Sequence, residues 1–143
     1  MAAGLPTEGT NATKPLAGTV ARRDVPTCGL HERLGDVRKR VTEAGWDSCV
    51  VVNDERVVLG LLRSEQLSGG ADEEDVESAM LAGPSTFRPY VSIEEMAHYM
   101  LEHDLESSPI TTSDGRLVGL LTVTDAARTV HELHGHHSEE EAS

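Results

Sequence analysis

The residues best suited to binding chemistry stand at one predicted junction between a strand and a helix. Thr122 and Asp125 lie three residues apart in the run LLTVTD at positions 120–125. At a helix start, a carboxylate can accept hydrogen bonds from neighbouring hydroxyl groups, while a Thr hydroxyl and unpaired backbone N–H groups suit a phosphate or another polar group. The junction is therefore a candidate ligand site. Alternatively, Asp125 only stabilises the helix dipole and Thr122 only ends the strand.

Other groups of reactive residues give weaker signals. His131 and His134 are three residues apart on a predicted helix and could share a metal such as Zn²⁺ or Ni²⁺, but a solvated polar tail is the simpler interpretation. Cys28 and His31 have no second pair at matching spacing, so we predict no metal site. Cys49 begins an apolar run and is expected to be a small core residue. Because the sequence also has no hydrolase, phosphate-loop or zinc-protease motif, we predict that it is not an enzyme.

Charge and hydropathy exclude several classes of function. The 143 residues include 12 Lys and Arg against 25 Asp and Glu, a formal net charge of −13. Such a chain is repelled by nucleic acid, and no apolar run approaches the 18 residues of a membrane span. Because no secretory signal is visible in the first 30 residues, we expect a cytoplasmic protein with reduced thiols. We therefore expect no nucleic-acid partner and no membrane partner.

The middle of the chain repeats itself after 59 residues without a gap. The run VLGLLR at 58–63 becomes LVGLLT at 117–122, and Ser48 falls on Ser107. The helical stripe of Leu34, Val37 and Val41 falls on Ile93, Met96 and Met100 in the same way. An internal repeat of this length indicates two copies of one structural unit.

Each copy predicts the order β-α-β-β-α. A short strand near Thr27 or Thr86 precedes the amphipathic helix, and Ser92 is placed to cap the second of these helices. Strands at 49–52 and 109–112 are followed by tight turns at 53–56 and 113–116, second strands at 57–62 and 117–121, and helices beginning near Ser64 and Thr124.

Two such copies must pack together, because fewer than about 60 residues bury too little surface to be stable alone. We predict an α+β fold in which two β-α-β-β-α repeats pack with pseudo-twofold symmetry. The predicted segments are a disordered tail at 1–17, repeat one at 18–70, an acidic linker with a short helix at 71–80, repeat two at 81–131, and an acidic, His-containing tail at 132–143.

This pattern resembles a tandem pair of cystathionine-β-synthase (CBS) domains, known as a Bateman module. The resemblance covers roughly residues 16–131. It is carried by Val76–Met80, by the helix Ile93–Leu105, by Ser108-Pro109-Ile110 and by the run from Asp114 to Asp125. The resemblance implies a regulatory module that binds adenosine-bearing ligands such as AMP, ADP, ATP or S-adenosylmethionine between the repeats, and that commonly pairs as a homodimer.

The resemblance also implies which residues would form a site in repeat two. Asp125 would accept the ribose diol and Thr122 would lie beside it, and by family position Thr86, Ser107, Ser108 and Pro109 would line the same cleft. Arg88 is the basic residue expected near this cleft, where it would offset Glu106, or it is a solvated residue at a strand end.

Repeat one departs from the family pattern. Arg63 stands where repeat two has Thr122, and Gln66 stands where it has Asp125. A ribose diol has no carboxylate there, so we predict at most one working site. Asp47 and Glu106 precede the second strands, and because carboxylates repel phosphate, we expect adenosine, S-adenosylmethionine or a metal-bridged nucleotide rather than free ATP.

Two hypotheses follow from the sequence. In the first, a stand-alone CBS pair senses an adenosine-type ligand and modulates a separate effector protein, without a resident cofactor. In the second, the fold is kept as a ligand-free dimerisation or interaction scaffold whose site is degenerate.

Overall fold

The structure, a computed structural model, describes the backbone of residues 15–142 and the side chains of residues 15–133. Residues 1–14 of the predicted tail and the side chains of His134, His136 and His137 lie outside this description. No helix in the described part of the chain is both long and apolar enough to cross a membrane.

The order of helices and strands along the described chain follows the 59-residue repeat. The final helix continues to Ala142, past the start of the predicted acidic tail at 132. In chain order the elements are α1 (Ala17–Val20), β1 (Thr27–Cys28), α2 (Leu34–Glu43), β2 (Cys49–Val52), β3 (Val58–Leu62), α3 (Ser64–Gly69), α4 (Val76–Ala79), β4 (Leu81–Ala82), α5 (Ile93–Glu102), β5 (Ser107–Thr111), β6 (Leu117–Thr122) and α6 (Val123–Ala142).

The sheet of each repeat is built around an antiparallel pair of strands. In repeat one the strand order is β1-β2-β3-β4, with β1 parallel to β2. In repeat two, β5 and β6 form the pair, Phe87 bridges to Ile110 in parallel and Arg22 bridges to Leu120 in antiparallel orientation. Both repeats therefore have the same sheet, although the flanking segments of the second are single bridges.

Backbone pairing repeats with the 59-residue period of the sequence. Leu61 pairs with Leu81 in repeat one, and Leu120 pairs with Arg22 at the equivalent positions. At the centre, the Val58 N–H donates to the Gly115 carbonyl and the Leu117 N–H donates to the Arg56 carbonyl, each over 2.9 Å. The predicted α+β fold with pseudo-twofold symmetry is confirmed.

The segment that precedes each repeat packs on the other repeat. Ala17 and Ala21 are buried in the core that holds Met96 and Met100 of α5. In the same way, Val76 of α4 is buried in the core around α2. The two repeats thus exchange their leading segments. The segment bounds predicted from the sequence, with repeat one ending at residue 70 and repeat two beginning at residue 81, do not reveal this exchange.

A third apolar cluster joins the repeats. Val50 and Leu61 of repeat one lie against Leu117 and Leu120 of repeat two, with Val25 beside them, and all are buried. Because this cluster takes side chains from both halves, neither repeat can bury its sheet alone.

Candidate functional site

A cleft of about 660 Å³ lies between the two repeats. Its volume is in the range that small-molecule sites occupy. We call it the inter-repeat cleft; it is lined by residues 44–48, 106–107 and 122–125 and by Arg22, Asp24 and Arg128. Three of the predicted site residues, Thr122, Asp125 and Ser107, therefore line one cavity.

Thr122 and Asp125 meet at the start of α6 because β6 runs directly into the helix. The Thr122 hydroxyl accepts a hydrogen bond from the Asp125 N–H over 3.1 Å, as a residue that caps a helix does. The Val123 N–H donates to the Glu106 carbonyl over 2.8 Å, which ties the helix start to the loop before β5. The junction is therefore held by a cap within the helix start and by a bond to the loop before β5.

Asp125 is buried, and two arginines hold its carboxylate. Arg22 Nε donates to Oδ2 over 2.8 Å, and Arg128 Nη2 lies 3.0 Å from Oδ1. The hydrogen bond from Arg22 lowers the pKa of Asp125 below its ordinary value; burial opposes this shift, and the charge of Arg22, the Thr122 hydroxyl and the charge of Arg128 add to it. The carboxylate therefore stays ionised at neutral pH and offers only acceptors.

Ser107 lines the cleft with a buried hydroxyl. It is 4% exposed, and among the described residues its Oγ has no hydrogen-bond partner. Buried polar atoms almost always have a partner, so an unpaired hydroxyl that lines a cavity is a candidate contact for a bound molecule.

The lining of the cleft carries an excess of negative charge. Asp24, Asp47 and Glu106 are exposed carboxylates, whereas both arginines of the lining are paired with Asp125. Four carboxylates against two guanidinium groups leave two negative charges uncompensated. Anionic ligands are therefore disfavoured relative to neutral or cationic ones.

Four of the predicted site residues do not line this cleft. The Thr86 hydroxyl accepts from Arg88 Nη2 over 2.8 Å, and Arg88 also donates to the Thr112 carbonyl. Ser108 Oγ donates to the Ser85 carbonyl over 2.8 Å, and the neighbouring Pro109 is buried within β5. These four residues fasten the segment around Phe87 to β5, and Arg88 does not offset Glu106.

The two arginines that hold Asp125 were not identified as site residues from the sequence. Arg22 comes from the segment that crosses from repeat one, so no local motif connects it to Asp125. Arg128 stands three residues after Asp125 on one helix, a spacing typical of an ion pair, so the sequence could have predicted this contact. Trp46 lies in the wall of the cleft, where the guanidinium carbon of Arg22 is 5.8 Å from its ring centroid.

The equivalent junction of repeat one is built differently. The Gln66 carboxamide oxygen accepts from the Arg63 N–H over 2.9 Å, and Arg63 Nη2 donates to the Ser107 carbonyl over 3.1 Å. Neither Arg63 nor Gln66 lines the inter-repeat cleft. The arginine crosses to the other repeat and joins the two sheets, as expected for a half without its own carboxylate.

Metal and thiol chemistry find little support in the described residues. No group of three or more His, Cys, Asp or Glu side chains in this part of the chain is arranged to hold a metal ion. Cys28 and Cys49 are free and buried in the core of repeat one. The hydrogen bond with Cys28 and burial raise the pKa of the Cys49 thiol, so it stays protonated and behaves as an apolar core residue.

Curated relatives share the sequence pattern at low identity. The chain is 26% identical over 115 residues to the uncharacterized protein MK0525 of Methanopyrus kandleri, covering 76% of this chain and 59% of the relative. It is 25% identical over 91 residues to the uncharacterized protein YtoI of Bacillus subtilis, covering 64% of this chain and 21% of the relative. The chain thus spans only part of the length of these relatives.

Solved structures share the fold. CBSX2, a CBS-pair protein from Arabidopsis thaliana, has a structure in complex with AMP that superposes with a TM-score of 0.73 at 19% identity, covering 83% of this chain and 98% of that one. The CBS domain pair of protein MJ0100, in complex with 5′-methylthioadenosine and S-adenosylmethionine, superposes with a TM-score of 0.74 at 15% identity, covering 83% and 98%. The family model of the CBS domain matches residues 17–68 and again residues 74–132. The chain therefore belongs to the CBS domain family and carries a tandem CBS pair.

Proposed function

We propose that this protein is a regulatory CBS pair that binds an adenosine-type ligand in the inter-repeat cleft. The observation that carries the proposal is the buried Asp125 carboxylate at the start of α6, which shares one cavity with the unpaired Ser107 hydroxyl. A buried carboxylate and a buried free hydroxyl in a cavity of this size are suited to a ligand that carries several hydroxyl groups.

The carboxylate can accept a ribose diol while Arg128 stays paired with it. An ionised carboxylate offers about four lone-pair sites, of which Arg128 uses one on Oδ1 and Arg22 uses one on Oδ2. The sites that Arg128 leaves open suffice for the two hydroxyl donors of a ribose. Because hydrogen bonds to an ionised acceptor are stronger than neutral ones, the lowered pKa of Asp125 favours this contact.

The charge of the cleft selects among adenosine-type ligands. The excess of carboxylates disfavours a free triphosphate and favours adenosine itself, S-adenosylmethionine with its sulfonium cation, or a nucleotide neutralised by a metal ion. The AMP complex of CBSX2 and the S-adenosylmethionine complex of MJ0100 support the ligand class, although at 19% and 15% identity they do not identify the ligand here.

The output of binding would be regulatory rather than catalytic. A ligand that contacts both repeats prefers one arrangement of the pair, and this preference can change association with a separate effector protein. We further propose that the protein is cytoplasmic. We also propose that it forms a homodimer, and light scattering coupled to gel filtration would test this oligomeric state.

A ligand-free scaffold is the second candidate function. The observation in its favour is repeat one, where Arg63 and Gln66 replace the Thr and Asp of repeat two and Arg63 fastens the two repeats to each other. In this case the fold would serve association alone.

Thermal shift and calorimetry with adenosine, S-adenosylmethionine, AMP, ADP and ATP, with and without Mg²⁺, decide between these functions. A ligand at 100 times its Kd stabilises the fold by about 2.7 kcal/mol, a readily measured shift. We expect Ser107→Ala to weaken binding and Asp125→Asn to abolish it. Gln66→Ala, at the repeat-one position equivalent to Asp125, is the matched control and should bind as the wild type does. If the wild type binds no ligand of this set, the scaffold is the better assignment.

A further inference from the structure

We infer that Arg22 is a built-in competitor, whose guanidinium occupies the nucleoside position between the Trp46 ring and the Asp125 carboxylate. The inference deepens the proposed function and rests on it. It assigns the two surfaces that Arg22 covers to the ligand: the aromatic face of Trp46 to the base and the carboxylate of Asp125 to the ribose.

The geometry places Arg22 against both surfaces at once. Its guanidinium carbon lies 5.8 Å from the centroid of the Trp46 ring, within the range of a cation–π contact. Its Nε donates to Asp125 Oδ2 over 2.8 Å. All three residues line the inter-repeat cleft, with Trp46 from repeat one and Asp125 from repeat two. The arginine therefore spans the cavity from one repeat to the other.

The fold does not need an arginine at this position. The backbone of Arg22 is held by its N–H, which donates to the Leu120 carbonyl over 2.9 Å, and by its carbonyl, which accepts from the Leu120 N–H over 3.0 Å. The equivalent residue of the other half is Leu81, which pairs with Leu61 in the same register. Because a leucine at that position makes the same backbone pairing, the pairing does not require an arginine. We therefore look for the role of the Arg22 side chain in the cleft.

Both groups that Arg22 contacts are groups that recognise a nucleoside. A flat guanidinium and a purine base each lie against an aromatic face, and a guanidinium N–H and a ribose hydroxyl each donate to a carboxylate. The Trp46 face cannot hold both at once. The Arg22 side chain is 50% exposed, so its contacts are weak enough for a ligand to displace it. Arg128 stays on Asp125 Oδ1 after displacement and keeps the carboxylate compensated.

Adenosine is the right probe, because an uncharged ligand has no phosphate that could attract Arg22. Trp46 is the only tryptophan of the sequence, so its fluorescence reports directly on what covers its ring. The variant is Arg22→Met, which keeps an unbranched apolar stem. The matched control is Arg23→Met, since Arg23 has the same charge, donates to the Gly18 carbonyl and does not line the cleft.

We expect Arg22→Met to bind adenosine roughly tenfold more tightly than the wild type, and Arg23→Met to bind it with unchanged affinity. Salt gives a second readout. Raising the ionic strength screens the half-exposed Arg22–Asp125 pair, so wild-type affinity for uncharged adenosine should increase with salt, whereas that of Arg22→Met should stay constant. Without ligand, only Arg22→Met should change the fluorescence of Trp46.

Each outcome decides the matter. If adenosine binds the wild type and Asp125→Asn abolishes that binding, but Arg22→Met binds equally or more weakly, the proposed function stands and the competitor is overturned. If binding is tighter in Arg23→Met as well, the effect is not specific to the contacts of Arg22, and the inference is again overturned. If calorimetry detects no binding to any variant, the proposed function fails and the inference falls with it.

Discussion

The two repeats share one backbone but differ where the second strand of each meets the following helix. In repeat two the pair Thr122 and Asp125 caps the helix and presents a carboxylate to the inter-repeat cleft. In repeat one the pair Arg63 and Gln66 caps the helix with a carboxamide and sends a guanidinium across to the other repeat. Two differences in sequence therefore replace a carboxylate that faces the cleft by a link between the repeats, while the strand register stays the same.

The comparison separates the requirements of the fold from those of the site. Backbone bridges recur at equivalent positions: Leu16 pairs with Ser92 as Arg33 pairs with Asp75. The side chains at these positions do not match in type. What the two halves must share is the apolar pattern and the register, and the residues that face the cleft are free to diverge.

The largest effect should come from the cluster that joins the two halves. Leu61 and Leu120 are equivalent and fully buried, and each contacts side chains of the other repeat. We expect Leu61→Ala and Leu120→Ala each to lower the free energy of unfolding by about 3 kcal/mol, since each leaves a cavity in a packed interior. Urea unfolding followed by circular dichroism measures this.

Leu133→Ala is the control for this pair of variants, because Leu133 is 39% exposed and its loss should change stability by less than about 0.5 kcal/mol. One cooperative transition is expected in every case. Two separate transitions, with only one of them shifted by each variant, would show that the repeats fold independently and that the shared cluster does not couple them.

The next largest effect concerns the asymmetric junction. Asp125 has a folded pKa below its unfolded value, so its contribution to stability is present above the unfolded pKa and is lost as the pH falls through the folded pKa. We expect Asp125→Asn to lower the free energy of unfolding by about 1–3 kcal/mol at pH 7. The difference from the wild type should shrink below about pH 4.

Thermal unfolding of both proteins between pH 7 and pH 3 measures this difference directly. The contributions of the other titrating groups are common to both proteins and cancel in the difference. Gln66→Ala has no titratable group at the equivalent position, so its difference from the wild type should not change with pH. A constant difference for Asp125→Asn would mean that the arginine pairs do not stabilise the fold.

The sequence predicted the part of the site that lies within one repeat. Thr122 and Asp125 were predicted from local signals where a strand meets a helix, and Ser107 from its position in the CBS family pattern. Neither signal places Arg22, which lies 103 residues from Asp125 and reaches it only because the leading segments exchange between repeats. Thr86 was placed by family position and Arg88 as the basic residue near the predicted cleft; in the structure Arg88 donates to the Thr86 hydroxyl and to the Thr112 carbonyl, which directly follows β5.

The smallest effect should come from two turns in which one repeat has glycine and the other repeat has a different residue at the equivalent position. Asp104 has φ +57° after α5, where repeat one has Gly45 at +77° after α2. Arg56 has φ +67° in the first hairpin, where repeat two has Gly115 at +88°. Left-handed backbone costs an L-residue roughly 1 kcal/mol, less for aspartate than for arginine, and glycine avoids this cost but loses more chain entropy on folding. We therefore expect Arg56→Gly to raise the free energy of unfolding by about 0.5–1 kcal/mol and Asp104→Gly by less, as measured by chemical denaturation at pH 7.

Gly45→Ala is the reverse control: an added Cβ meets no atom within 4 Å, so a loss of stability there would come from the backbone angle alone. If Arg56→Gly is neutral while Gly45→Ala is destabilising, the arginine side chain stabilises its turn by as much as the left-handed backbone costs. The two turns would then be equally stable for different reasons.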